Sequence, residues 1–187
     1  MEGHEDIRLA IRDHLIAVLP TQLDALRVRA EVSSPREPVA YLLSDSLQVS
    51  TAYPVVLIRT TKLDRLIDAG AGTFVARYGC EVVVACEVPT ARAYEAASVD
   101  RDRLSLAVRW ALLTPSSSLP AEVTLSVAGL TEDHGPAAES LAGRPLAVGV
   151  TSFAAVVAES GPAGTTGTED MDDFDLTVTN YDAATTI

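Results

Sequence analysis

Hydrophobic positions in the first part of the chain recur at the spacing of an α-helix. Between Glu5 and about Leu19 an apolar residue stands at every third or fourth position, which predicts an amphipathic helix. Pro20 lacks an amide hydrogen and predicts a break or kink, with Thr21 as the cap of a short second helix. The apolar positions of the two segments are Ile7, Ile11, Leu15, Val18, Leu23, Leu26 and Val28.

The pattern changes to strict alternation from Phe74 to Val88, which predicts a long β-strand. One face of this strand is apolar, and the other face carries Arg77, Glu81 and Glu87. Gly79 inside the strand is typical of a bulge or bend. The apolar face predicts packing against the core, and the charged face predicts contact with solvent or with a neighbouring subunit.

Shorter patterns predict the remaining regular elements. A continuous apolar run from Pro54 to Ile58 predicts a short buried strand, and alternation from Glu122 to Leu130 predicts another. A helix is predicted after Pro89 and up to Thr114, with its clearest apolar stripe from Asp100 onwards. Leu146 to Val157 is apolar or small throughout, which predicts a strand in the centre of the sheet.

Polar segments separate these elements. Residues 33–53 begin with serines and prolines that predict turns, and Thr131 to Pro136 predicts another turn. The charges and glycines of Thr61 to Gly72 predict a loop, with room for one helical turn, that joins two strands as an extended hairpin arm. Asp100 to Arg103 predicts a solvated first helical turn, and Gly161 to Asp173 predicts a flexible linker.

The order of elements favours one α+β domain over residues 1–160. Runs of strands joined by turns predict an antiparallel or mixed sheet with the two main helices packed on one face. Residues 161–187 are predicted to be a flexible acidic C-terminal extension, within which Phe174, Leu176 and Val178 alternate with polar residues. This alternation predicts a terminal strand that pairs with a sheet edge of its own chain or of a neighbour.

Composition narrows the classes of function. Hydrophobic residues make up 48% of the 187 positions, enough for a domain with a core, but aromatic residues make up only 5%. The formal net charge of −12 opposes binding to a phosphate backbone, and few aromatic rings are present to stack on bases. No apolar run approaches the ~20 residues of a membrane helix, and the acidic N-terminus predicts no signal peptide. We expect a cytoplasmic protein that contacts neither a membrane nor specific nucleic-acid sites.

The sequence offers no pattern for catalysis, a cofactor or a metal. None of the three histidines has a second His or Cys at ligand spacing; His14 is expected at the boundary of its helix, and His134 in a turn. A Gly-x-Ser-x-Gly elbow and a phosphate-binding glycine loop are both missing. Cys80 and Cys86 are expected to be buried, reduced thiols, and the acidic run at 169–173 lacks the spacing of a calcium loop. We therefore predict a protein that is not an enzyme.

The candidate sites are surfaces for contact with other proteins. Apolar residues on the hairpin arm indicate a partner, with packing onto their own sheet as the alternative. The charged face of the long strand and the terminal strand-like segment are the two other candidates. The candidate interface residues are Lys62, Leu63, Asp64, Arg65, Leu66, Ile67, Asp68, Arg77, Glu81, Phe174, Leu176 and Val178.

The succession of elements resembles the tail terminator, or tail completion, family of long-tailed bacteriophages. The resemblance covers about residues 5–158 and is closest in YPVVLI at 53–58, the following loop, YGCEVVVACEVP at 78–89, and the helix through Trp110. It implies an α+β subunit of the virion that forms a hexameric ring on the tail tube protein, stops tube polymerisation and meets the head–tail connector. DNA would pass through the lumen without specific binding. The extension at 161–187 departs from the family pattern, and no motif carries a functional residue over.

Three other functions stay open. The chain could be another neck or connector component, or the terminator of a contractile tail. A small cytoplasmic binding module would instead be a monomer or dimer with a polar-lined pocket. An enzyme with a dispersed site is the third alternative. The oligomeric state separates the ring-forming functions from the binding module.

Overall fold

The computed structural model describes residues 3–43, 52–90, 93–115, 118–134 and 145–160. Its elements in chain order are α1 (His4–Ala30), β1 (Ala40–Leu42), β2 (Val55–Gly70), β3 (Thr73–Glu87), α2 (Tyr94–Leu113), β4 (Val123–Asp133) and β5 (Leu146–Ser160). The strands form one sheet in the order β1-β2-β3-β5-β4. Only the β1–β2 pairing is parallel, and the others are antiparallel. The predicted α+β fold with a mixed sheet and both helices on one face is confirmed.

The main core lies between the helices and one face of the sheet. Alternate residues of β3 from Ala76 onwards point into this core, which confirms the predicted strand and its apolar face. β5 lies between β3 and β4, as its unbroken apolar sequence predicted. A second, smaller cluster of buried residues on the other face consists of Val55, Leu57, Val83, Ala85 and Leu146.

A single helix runs through Pro20, so the predicted break and the second helix starting at Thr21 are wrong. A proline inside a helix costs about 3 kcal/mol, because it removes a backbone hydrogen bond and crowds the preceding turn. Leu15, Leu19 and Leu23 on the two sides of the proline are fully buried. Their packing offsets the local cost, and the apolar stripe continues as one helix.

The segment Thr61 to Gly72 was predicted as a loop, and this prediction is wrong. β2 continues to Gly70 and pairs with β3 along the whole segment. Ala71 and Gly72 form a two-residue turn with φ values of 54° and 73°, the left-handed conformations that a tight hairpin turn uses. The expected arm is therefore a paired part of the sheet, in which β5 lies beside β3 as far as Thr73.

Three smaller predictions are also corrected. β4 extends to Asp133, so 131–133 belong to a strand and not to a turn. Asp100 to Arg103 were predicted as a solvated first helical turn, but they lie inside α2, which begins at Tyr94. Arg101 is buried, because its aliphatic part packs over Gly149 of β5. His14 is fully buried and does not lie at a boundary, because two hydrogen bonds satisfy its ring nitrogens.

Candidate interface

We call the distal half of the β2–β3 hairpin, residues 61–77, the arm. Every β2 residue from Thr61 to Gly70 is exposed, whereas Val55 to Ile58 in the same strand are buried. β3 is more covered than β2 in the arm, because β5 pairs with it as far as Thr73. The arm thus displays all seven predicted residues from Lys62 to Asp68 on one outer strand.

Three large apolar side chains are exposed on the arm. Leu63, Leu66 and Ile67 have 45%, 52% and 43% of their surface exposed. Leu63 and Leu66 stand opposite Tyr78 and Ala76 in the ladder, so they point to the helix side of the sheet, and Ile67 points to the other side. All three side chains remain accessible over about half of their surface. Leu63 and Leu66 thus form a small apolar surface on the helix side, and Ile67 is exposed on the other side.

Two arginines lie side by side on the opposite face of the arm. Arg65 and Arg77 are direct cross-strand partners, and both are exposed. Neither forms an ion pair with any residue in the described ranges, and like charges in this position repel each other. Lys62 lies on the same face and contacts Asp64 at 3.0 Å. A local positive surface on a chain of net charge −12 suits a partner that brings carboxylates.

Glu81, the other predicted residue of β3, is held within the chain. Its Oε2 atom accepts a hydrogen bond of 2.7 Å from Nε of Arg59 and lies 2.6 Å from Nη2 of the same residue. Both side chains are partly buried, so dissolved salt screens their attraction less than it screens a fully exposed ion pair. The pair fixes two neighbouring strands at the base of the arm, and contact of Glu81 with another subunit stays a prediction.

The base of the arm is anchored by Tyr78 and by a bulge. The Tyr78 hydroxyl donates a 2.7 Å hydrogen bond to Glu159, and its ring meets that of His4 edge-on, with 4.7 Å between centroids. Burial, followed by this hydrogen bond, raises the pKa of Tyr78 to about 12, so the hydroxyl stays a donor at neutral pH. Thr61 is an extra residue opposite Gly79, where a Cβ atom would stand 2.7 Å from Thr61 Oγ1. The sequence predicted a bulge or bend in β3 at Gly79, whereas the irregularity lies in β2 opposite this glycine.

The two cysteines are free and buried, as predicted. Burial raises the pKa of each thiol, Cys80 and Cys86, to about 12. At neutral pH both are therefore protonated, and the thiolate that nucleophilic attack requires is scarce. Across the described residues, no group of three or more His, Cys, Asp or Glu side chains is placed to hold a metal ion. No helix in those same ranges is long and apolar enough to cross a membrane.

An open cleft of about 500 Å³ lies at the other end of β3, away from the arm. It is bounded by residues 33–36, the start of β2 and the first turns of α2. Its lining mixes the charged Arg36, Glu87 and Asp100 with proline and alanine side chains. A cleft of this size and polarity is where a small ligand would bind if the chain were a binding module.

The structure places most of the predicted interface residues on two adjacent strands. Lys62 to Asp68 lie on β2, and Arg77 and Glu81 lie on the adjacent strand. Phe174, Leu176 and Val178 lie outside the described residues. The sequence analysis missed the pairing of Arg65 with Arg77, because a register shift in β2 changes the pairing that the Ala-Gly turn alone would set. A comparison with models of known protein families found no match, and neither did a comparison with curated proteins.

Proposed function

We propose that this chain is a structural virion protein, the tail terminator of a long-tailed phage. Six copies would form a ring on the last ring of tail tube protein, stop tube polymerisation, and offer a surface to the head–tail connector or stopper protein. No catalysis or cofactor is part of this function. The observation that carries the proposal is the arm, whose outer strand β2 is exposed from Thr61 to Gly70 and displays apolar and basic side chains.

A ring closes when one patch of a subunit binds a different patch of the next subunit, and this contact repeats around an axis. The arm suits such a contact, because it extends beyond the part of β2 whose residues are buried. Arg65 and Arg77, which form no ion pair within the described ranges, can fix the register of the contact through carboxylates of the neighbour. Six copies at −12 each give a formal charge of −72, which disfavours adhesion of DNA passing through the lumen.

The native mass of the purified protein tests this proposal directly. Light scattering is expected to give a ring of about six copies, either for the protein alone or after addition of tail tubes. A heterologous contact repeated around an axis closes into a ring when the rotation brings the last subunit back to the first. A monomer or dimer that is unchanged by tubes would contradict the proposal. The open cleft beside α2 would then be the place to search for a small ligand, as for a binding module.

Replacing both Leu66 and Ile67 with serine is expected to leave the subunit folded and to impair ring formation. Both side chains are about half exposed, so their loss removes little buried surface from the monomer. In an interface they would be buried, and their loss would weaken assembly at least tenfold. Light scattering and far-ultraviolet circular dichroism measure the two effects.

The matched control replaces Val28 and Val39 with serine, because these residues are 80% and 58% exposed away from the arm. The control is expected to assemble as the unaltered protein does. Equal assembly of both double variants would remove the apolar side chains of the arm from the interface.

A further inference from the structure

The sheet has two open edges among the described residues. β2 pairs with β3 along its full length, but on its other side it pairs with β1 only at Val55 to Leu57. β4 pairs with β5 on one side, and no described strand pairs with its other side. Backbone amide and carbonyl groups along such edges are a template for pairing with another strand.

The strand directions allow these two edges to pair between copies of the chain. β2, β3, β5 and β4 are each antiparallel to the next, so β2 and β4 run in opposite directions. When one copy is rotated about an axis that runs along the strands, its β2 therefore lies antiparallel beside β4 of the next copy. Antiparallel pairing is the more stable kind. The same rotation keeps the helix sides of the two sheets together.

The apolar residues of the arm and of β4 lie at the same level in the sheet. The ladder across β3 and β5 puts Leu63 level with Leu125. It also puts Leu66 level with Val123. Val123 and Leu125 belong to the helix side of the sheet, to which both leucines of the arm point. Edge-to-edge placement at this level therefore brings the two apolar pairs side by side.

A groove of about 420 Å³ lies at this place, between the end of α2 and β4. None of the described residues that line it is charged. Its lining includes Leu113, which has 51% of its surface exposed, and Leu119, which is partly buried. An open apolar groove beside a free sheet edge suits a strand that brings apolar side chains on one face.

The other face of the same edge carries complementary charge. Arg65 is level with Thr124, and Glu122 stands two residues before Thr124 on the same face. Residues on such a diagonal are about 7–8 Å apart, within reach of a long side chain. Glu122 is exposed and forms no ion pair with another described residue. Its carboxylate is thus available to Arg65 of an adjacent copy.

We propose that residues Val123 to Ser126 of β4, with the groove beside them, accept the arm of a second copy of this chain. The two leucines of that arm enter the groove, Arg65 meets Glu122, and the outer edge of β2 adds a strand to β4. The pairing stops at Ser126, because the register of β4 against β5 is interrupted beyond that residue. This inference rests on the proposed ring, for which it supplies the second patch.

Disulfide cross-linking between two single-cysteine variants tests the contact. Arg65→Cys and Thr124→Cys replace exposed side chains at facing positions, where the Cα atoms of an antiparallel pair lie about 4.5–5.5 Å apart. The two chains are mixed before assembly, alone or with tail tubes, and oxidised mildly. The mixture is expected to give about tenfold more linked dimer than either chain separately, because the contact is heterologous. The natural cysteines are buried and do not compete.

The matched control for the acceptor position is Thr131→Cys. Thr131 is exposed on the same face of β4, but it lies beyond the interruption in the ladder. Its mixture with Arg65→Cys is expected to give no more linked dimer than the separate chains. Linkage to Thr131→Cys as strong as linkage to Thr124→Cys would overturn the inference. Linkage of the Arg65→Cys chain mainly to itself would overturn it too, because the arm would then meet another arm.

Light scattering of the same samples separates this inference from the proposed function. Rings that form without linkage through Thr124→Cys would overturn the inference and leave the proposed function standing. Linkage through Thr124→Cys in a sample that never closes into a ring would support the contact and contradict the proposed function. A sample that stays monomeric and unlinked in the presence of tubes would contradict both.

A charge exchange tests the contact without added cysteines. Glu122→Arg is expected to weaken assembly about fivefold, because it places like charges together, and adding Arg65→Glu is expected to restore most of the loss. The matched control, Asp133→Arg, makes the same change at an exposed position on the same face of β4, level with Leu57. It is expected to assemble as the unaltered protein does. Equal weakening by both single variants, without rescue, would overturn the pairing of Arg65 with Glu122.

Discussion

Replacing Gly149 with valine is expected to lower the free energy of unfolding by about 3 kcal/mol, the upper end for overpacking a core. Gly149 lies in β5 opposite Val84, on the face covered by α2. A Cβ atom there would stand 2.5 Å from Oγ of Ser105 and 3.2 Å from Cγ2 of Val84. The helix crosses the sheet too closely for a side chain, so valine would force the two layers apart. Urea unfolding measures the loss.

A double-mutant cycle with Ser105 shows whether this close contact is the cause. Ser105 Oγ is buried and has no hydrogen-bond partner among the described residues, so Ser105→Ala alone is expected to be neutral or slightly stabilising. Gly149→Ala is expected to cost about 1.5 kcal/mol in the unaltered protein and at least about 0.5 kcal/mol less beside Ser105→Ala. Strict additivity of the two substitutions would contradict this explanation and leave backbone strain in β5 as the cause.

The sequence predicted best those elements that have one buried face. Alternate residues of β3 are apolar because one face meets the helices, although Val83 and Ala85 on the other face are also buried. α1 shows helical spacing because one stripe meets the core. Both signals come from burial, so they predicted the fold class and the side on which the helices lie. The break at Pro20 was predicted wrongly, because local propensity cannot register the buried leucines on both sides that keep α1 continuous.

The arm could not be predicted as strand for the same reason. Residues 61–70 are exposed on both faces, so no alternation between apolar and polar residues marks them. Their extended conformation depends on pairing with β3 across the Ala71–Gly72 turn. The pattern of residues within the segment itself does not indicate this pairing. β1 was missed because three residues give too short a pattern.

The candidate interface was predicted in part. Apolar residues among charges indicated that the segment from Leu63 to Ile67 contacts a partner, and all of it is exposed. Which side chains share a face could not be predicted, because two of the three register shifts between β2 and β3, at Thr61 and Asp64, change the faces of the residues that follow. These shifts place Arg65 beside Arg77 and Leu66 on the opposite side, where it shares a face with Leu63.

Replacing His14 with alanine is expected to lower the free energy of unfolding by about 3 kcal/mol. The imidazole is fully buried, and its Nε2 lies 2.9 Å from the carbonyl oxygen of Ala111 in α2. A carbonyl only accepts hydrogen bonds, so Nε2 carries the proton. Nδ1 of this tautomer then accepts a 2.9 Å hydrogen bond from the Ser118 hydroxyl. The substitution therefore removes a ring from the core and two bonds that tie α1 to α2 and the segment after it.

Two further substitutions separate these contributions. Ser118→Ala removes one bond and is expected to cost about 1 kcal/mol. Ile16→Ala shortens a side chain on the same helix that is 47% exposed, and it is expected to cost much less than a buried truncation, about 0.5 kcal/mol. Chemical denaturation of the three variants gives their order. If His14→Ala cost no more than Ile16→Ala, the imidazole would not link the helices. The contact of α1 with α2 would then depend on the leucines of α1 alone.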